Sequence, residues 1–208
     1  MDNLKKFIIN STNEFHILRH YKFVDNSYKE TLISKPYWYY DYSQKKYISS
    51  NISKNDVECA LETIGTKFYE NIKGIENPKK LLELIEKEFI KLISKDKIHW
   101  TLGGENKVTK FSINFDSAVG MINVLSINSL SNNDKKNIKS IPRSKCTGEN
   151  NVIVNTISGI ELGYTNMIYV EIIETTQLPF YIMTAFPDCS SLDSSINDIS
   201  DDDLVFIV

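Results

Sequence analysis

The sequence predicts an α+β protein in which two helices are followed by an antiparallel sheet of four to six strands over residues 97–188. Three observations carry this. Apolar residues recur at three- and four-residue steps over 56–72 and again over 78–94. Beyond Asp96 the period changes to two: Thr109, Phe111, Ile113 and Phe115 alternate with Val108, Lys110, Ser112 and Asn114, so one face is chiefly apolar. Turn-forming pairs, Gly103-Gly104 and Leu178-Pro179, lie between such runs.

Residues 1–50 read as a mixed region. The stretch Phe15–Val24 fits a short helix or a strand, and Pro36 breaks the pattern before the aromatic run Tyr37-Trp38-Tyr39-Tyr40, with Tyr42 and Tyr47 close behind. In the first helix Val57, Ala60, Leu61, Ile64, Phe68 and Ile72 form one stripe. Asn55 serves as its N-cap, Glu58 reaches back, and Gly74 follows the last turn. The second helix opens with Asn77 as cap and Pro78 at the first position, where the missing N–H costs nothing. Leu81, Leu82, Ile85, Phe89, Leu92 and Ile93 form its buried face. Strands are expected at Ile98–Leu102, Val108–Phe115, Ala118–Ile127, Asn151–Ile157, Asn166–Glu174 and Phe180–Phe186. A polar stretch, Ser129–Glu149, separates the third from the fourth and carries Lys135, Lys136, Lys139, Arg143 and Lys145. From Cys189 the chain is Ser/Asp-rich and reads as a mobile acidic tail over 189–208, closed by the apolar Leu204–Val208.

The 208 residues favour one domain of generous size, and 41 % apolar with 25 % charged residues is ordinary for a globular chain. No apolar run approaches the ~20 residues that span a bilayer. Behind Lys5 and Lys6 only Phe7, Ile8 and Ile9 follow, too short for a signal-peptide core, so a cytoplasmic protein with no membrane partner is expected. Three widely spaced cysteines, Cys59, Cys146 and Cys189, argue against a disulfide framework or a structural zinc site. The net charge of −3 hides an asymmetry: residues 1–150 hold all 24 Lys and Arg with 18 acidic groups, while 151–208 hold nine acidic groups and no base. A basic body with an acidic end fits a polyanion-binding surface and a mask for it, or a plain solubilising tail.

Several residue types carry chemistry. His16 and His20 have the i, i+4 spacing of a zinc pair but no third ligand at a companion spacing, so no metal is expected and packing histidines are the alternative. His99 stands on a predicted strand before Trp100, and imidazole is the side chain best matched to proton transfer near neutral pH. Arg143 and Lys145, two apart at a strand mouth, can face one phosphate or stand as solvated loop cations. Thr165 opens one strand, and Thr184 lies late in another that ends at Pro187. The aromatic run, flanked by Lys35, Lys45 and Lys46, offers base-stacking planes or an ordinary packed or interface surface.

The order helix, helix, strand with His99, basic loop, strand led by Thr165, and closing strand with Thr184-Ala-Phe-Pro187 resembles the barnase–EndoU–colicin–RelE superfamily of metal-independent ribonucleases, often toxin domains of bacterial conflict systems. The resemblance covers about residues 75–188, leaving 1–74 as an N-terminal mixed region and 189–208 as the acidic tail. It implies an endoribonuclease toxin, without cofactor, that cleaves RNA, tRNA included, by attack of the 2′-hydroxyl. It implies catalytic roles for His99, Arg143, Lys145, Thr165 and Thr184, and RNA binding by Lys135, Lys136 and Lys139. A cognate immunity or antitoxin protein would be its partner, and delivery into a target cell is a further expectation. The alternative from another class is a non-catalytic immunity- or antitoxin-like protein whose acidic surface meets a basic partner, which the net charge of −3 favours.

Overall fold

The computed structural model describes residues 9–41, 44–103, 106–143, 153–174, 180–189 and 200–208. Along them run α1 (Ser11–Leu18), α2 (Asn26–Leu32), β1 (Pro36–Asp41), β2 (Lys46–Asn51), α3 (Lys54–Glu62), β3 (Lys67–Phe68) and α4 (Pro78–Ser94). Then follow β4 (Thr101–Gly103), β5 (Asn106–Asn114), β6 (Gly120–Ile122), β7 (Val124–Ser126), β8 (Lys139–Pro142), β9 (Ile153–Ile157), β10 (Gly163–Thr165), β11 (Met167–Glu174), β12 (Tyr181–Pro187) and β13 (Leu204–Ile207). The class is α+β, as the periodicities predict.

Helix α4 forms where the stripe places it. The Asn77 side chain accepts from the Lys80 N–H, Pro78 fills the first turn, and Leu81, Leu82, Ile85 and Phe89 are fully buried. It ends as Asp96 turns into the left-handed region at φ 53°, which lets the Lys97 N–H return to the Leu92 carbonyl. The main sheet has the order β12-β11-β5-β4, antiparallel throughout. One face meets α1 and α4: Ile168, Val170, Ile172, Ile182, Phe111 and Ile113 share a core with the buried face of α4. Trp100 stacks on Phe180 at 6.0 Å, and both pack edge-on to Phe89.

Strands from between β5 and β11, joined by β3 and β13, build two further sheets. Strands β10-β6-β3 form one small sheet and β7-β13-β9-β8 another. Gly120 lets the first of these meet the main sheet: a Cβ there would lie 2.5 Å from Pro187 Cγ and 2.8 Å from the Lys67 carbonyl oxygen. No larger residue fits that approach.

Several expectations are corrected. The first helix does not run over 56–72 from Asn55. It starts at Ser53, whose side chain and that of Asp56 form a capping box, and it stops at Glu62 with Thr63 extended. Lys67 explains the stop: its buried ammonium donates to the carbonyls of Arg19, Tyr21 and Leu61, and Phe68 pairs with Gly120. Tertiary contacts thus override the helical stripe. Among the described residues there are four α-helices, not two, because the short α1 and α2 are held by caps, Asn10 and Asp25, rather than by long stripes. The single sheet over 97–188 is divided among three sheets, and the β9–β13 contact is parallel. Expected strand 118–127 breaks at Asn123, whose buried side chain donates to the Gly65 carbonyl and sends β6 and β7 into different sheets. The polar stretch contains β8, and the C-terminal apolar residues form β13, an inner strand with Val205 wholly buried. Among the described residues no helix is long and apolar enough to cross a membrane.

Candidate functional site

The main sheet's other face carries polar residues, and register decides which of them are neighbours. Lys110 on β5 pairs with Glu171 on β11, and Glu171 pairs with Thr184 on β12. Directly paired residues of antiparallel strands project to the same face, with Cβ atoms about 5 Å apart. Lys110, Glu171 and Thr184 thus form one row across three strands, about 10 Å long at two strand spacings. His99 lies two residues before β4, exposed, while Trp100 beside it packs against the core.

A second row supports the first. Tyr169, two residues from Glu171, donates its hydroxyl to Glu171 Oε2 at 3.1 Å and is also bonded by Lys110. Burial and the Glu171 charge push that phenol up to about 12, against the pull of Lys110, so it stays protonated and a donor. Its ring stacks on Phe186 at 5.0 Å, and Phe186 in turn meets His20 at 5.4 Å. Ser112, paired with Tyr169, donates to the buried Asp188 carboxylate at 2.6 Å. Cys189 beside it is buried, and burial with the Asp188 charge pushes its thiol up to about 12, which removes it as a nucleophile.

The other expected site residues lie elsewhere. Arg143 follows β8, in the sheet built around β13: its Nε donates to the Ile64 carbonyl at 2.9 Å and its guanidinium covers the Phe206 ring at 5.8 Å. Thr165, on β10, is buried, and its hydroxyl accepts from the Met167 N–H. Lys135 and Lys136 sit in a 3-10 turn and Lys139 opens β8, all outside the main sheet. Lys145 lies outside the described residues. The structure therefore sets Thr184 in the row of Lys110 and Glu171, leaves His99 exposed just before β4, and does not place Arg143 or Thr165 on that sheet.

His16 and His20 are both packing residues. His20 is buried, with Nδ1 3.1 Å from the Thr66 carbonyl oxygen and 3.0 Å from its hydroxyl. A carbonyl only accepts, so Nδ1 carries the proton. Burial, then the charges of Arg19 and Arg143, lowers His16 to about 3; burial, with His16 and Arg19, holds His20 well below the ordinary value. Among the described residues no three His, Cys, Asp or Glu side chains are grouped as metal ligands would be.

Lys110, Tyr169, Glu171 and Asp188 were missed as site residues, although the signal was present. Glu171 interrupts the apolar run Met167–Ile173, and Lys110 holds a polar position of an alternating strand. No protein-family model matches the sequence, and no curated protein matches it either.

Proposed function

We propose that the protein is a metal-independent endoribonuclease acting on the outer face of the main sheet. One observation carries the reading: the register sets a cation, Lys110, beside a carboxylate, Glu171, on that face, and His99 stands exposed two residues before the strand that pairs with β5. In this reading the chain before Thr101 continues extended and brings His99 to the other side of Lys110, roughly 10 Å from Glu171. In-line transfer at phosphorus needs a base and an acid on opposite sides of the phosphate and a positive charge between them.

Glu171 takes the proton of the 2′-hydroxyl, O2′ attacks phosphorus, and the P–O5′ bond breaks. His99 as imidazolium delivers a proton to the departing O5′. The products are a 2′,3′-cyclic phosphate and a 5′-hydroxyl, so charge and atoms balance. Lys110 holds a non-bridging oxygen as negative charge grows; Thr184, on the far side of Glu171 and two strand spacings from Lys110, takes no part in that contact. Tyr169 is a positioning residue: its hydroxyl on Glu171 fixes the carboxylate. In this reading Lys110 takes the part expected of Arg143 and Lys145.

The test is incubation of single-stranded RNA with the full chain in excess chelator. Cyclic-phosphate ends should form, DNA of the same sequence should stay whole for want of a 2′-hydroxyl, and His99→Ala or Lys110→Met should each lower kcat by about 10²–10⁴. Cleavage of DNA, or intact RNA under all conditions, would overturn the proposal. The immunity-like binding protein would then be the remaining reading.

A further inference from the structure

The aromatic run is left over by the site just described, and the hairpin divides it into two faces. Tyr37 is buried and packs on Phe15 at 4.8 Å, with Tyr39 behind it at 5.7 Å. Those residues are core. Strand alternation turns Trp38 and its partner Ser49 to the other side, together with Tyr47, two residues from Ser49. Trp38 is 57 % exposed and Tyr47 70 %. Two large aromatic side chains held at that exposure on one face do not serve the core. Their diagonal placement sets them about 7–8 Å apart, and the exposed Lys45 and Lys46 stand at the adjoining turn.

The hairpin is tied to the strand that carries Thr184. Helix α1 bonds both: Thr12 Oγ1 accepts from the Trp38 N–H, Ser11 donates to the Pro36 carbonyl, and Asn13 Nδ2 donates to the Ile182 carbonyl at 2.8 Å. Tyr181 on β12 lies close enough to Tyr47 for that phenol to add to the effect of burial in raising its own. From Tyr181 to Thr184 is about 10 Å along the strand. A bulge between them keeps both on the outer face, since Tyr181 pairs with Ile173 and Thr184 with Glu171. The aromatic face therefore adjoins β12, the edge strand of the sheet that carries Lys110.

We infer that Trp38 and Tyr47 stack on unpaired bases of the RNA whose phosphate sits at Lys110, so that the substrate is single-stranded RNA extended on one side of the cleaved bond. This rests on the ribonuclease reading. Bases within a duplex have both faces covered and cannot stack on a side chain, whereas an unpaired base presents its face whatever its identity. Lys45 and Lys46 supply charge to the backbone of the same segment.

Two measurements on the full chain test it. The first compares cleavage of a single-stranded 20-mer with cleavage of a dinucleotide too short to reach the hairpin. Trp38→Ala and Tyr47→Ala should each raise KM for the 20-mer about tenfold with kcat unchanged, and leave the dinucleotide untouched. Trp38→Phe should restore most of the loss. The second titrates the His99→Ala protein with the 20-mer and follows tryptophan emission, which should be quenched through Trp38 and not in the Trp38→Phe variant. Unchanged KM for the 20-mer in Trp38→Ala, or equal preference for duplex, overturns the inference while leaving the ribonuclease reading intact. Quenching without any cleavage overturns the ribonuclease reading and retains the stacking surface. Cleavage without quenching marks the patch as a protein-facing surface and overturns the inference.

Discussion

Acid should destabilise this protein well before its carboxylates titrate, because two histidines are packed in the neutral form. His16 is lowered to about 3 and His20 lies well below 6.5, while both titrate at 6.5 in the unfolded chain. A histidine whose folded pKa is depressed stabilises the fold fully above 6.5. It loses that contribution as pH falls from 6.5 toward the folded value. Between pH 7 and 5 each such histidine removes about 2 kcal/mol, and the pair about 4. His16 retains some exposure, so screening trims the sum to about 3 kcal/mol. That is a large share of an ordinary stability of 5–15 kcal/mol. Urea unfolding at pH 7, 6 and 5 measures it as a midpoint falling by about 1–2 M at an m-value near 2 kcal/mol/M. His20→Asn keeps a donor near the Nδ1 position for the Thr66 carbonyl and carries no titrating ring, so the pH slope should fall by about half. A slope at pH 5.5 below that of one proton, about 1.4 kcal/mol per unit, would refute the assignment of both rings as neutral.

Gly120→Ala should destabilise by about 1–3 kcal/mol, since its Cβ meets Pro187 and a backbone oxygen that cannot both withdraw; thermal unfolding reads it directly. Arg143→Ala should lower stability by about 1–3 kcal/mol, because the Ile64 carbonyl loses its donor and the Phe206 ring its cover. Lys110→Met, on an exposed side chain, should leave stability within about 0.5 kcal/mol while abolishing cleavage of RNA. The reverse pattern, an inactive but stable Arg143 variant beside an unstable Lys110 variant, would exchange the two roles.

Legibility in the sequence followed the strength of local signals. Helix α4 was readable to the residue because its stripe, its Asn77 cap and its Pro78 agree. Strands β5, β11 and β12 of the main sheet were readable from alternation. Helix α3 was read too long because Ile64, Phe68 and Ile72 keep helical spacing while the Lys67 ammonium, bound to the distant carbonyls of Arg19 and Tyr21 and to that of Leu61, requires a strand there. Nothing local announces such a contact. The two further sheets were opaque for the same reason: β6, β7 and β10 are three residues each, and their partners lie far away in the chain. Of the expected site, Thr184 lies on the readable sheet and His99 two residues before its strand β4. Lys110 and Glu171 were hidden because cross-strand register, not spacing along the chain, makes them neighbours.

Arg143 and Thr165 show how residue type alone can mislead, and the row shows the opposite. A guanidinium at a strand mouth and a hydroxyl at a strand start both fit phosphate chemistry, yet each has a sufficient structural reason: one bonds the Ile64 carbonyl, the other accepts the Met167 N–H. Lys110 and Glu171 both bond the Tyr169 hydroxyl. Each sits in the middle of a long strand, where packing favours β-branched and aromatic side chains. Lys110 is exposed and Glu171 only half-buried, and such a pair contributes about 0–1 kcal/mol. The inner face of the same strands is apolar almost throughout, so the sheet does not need charge at its centre to fold. Charge at that centre, at little gain in stability, is what favours the proposal that a ligand is met on this face.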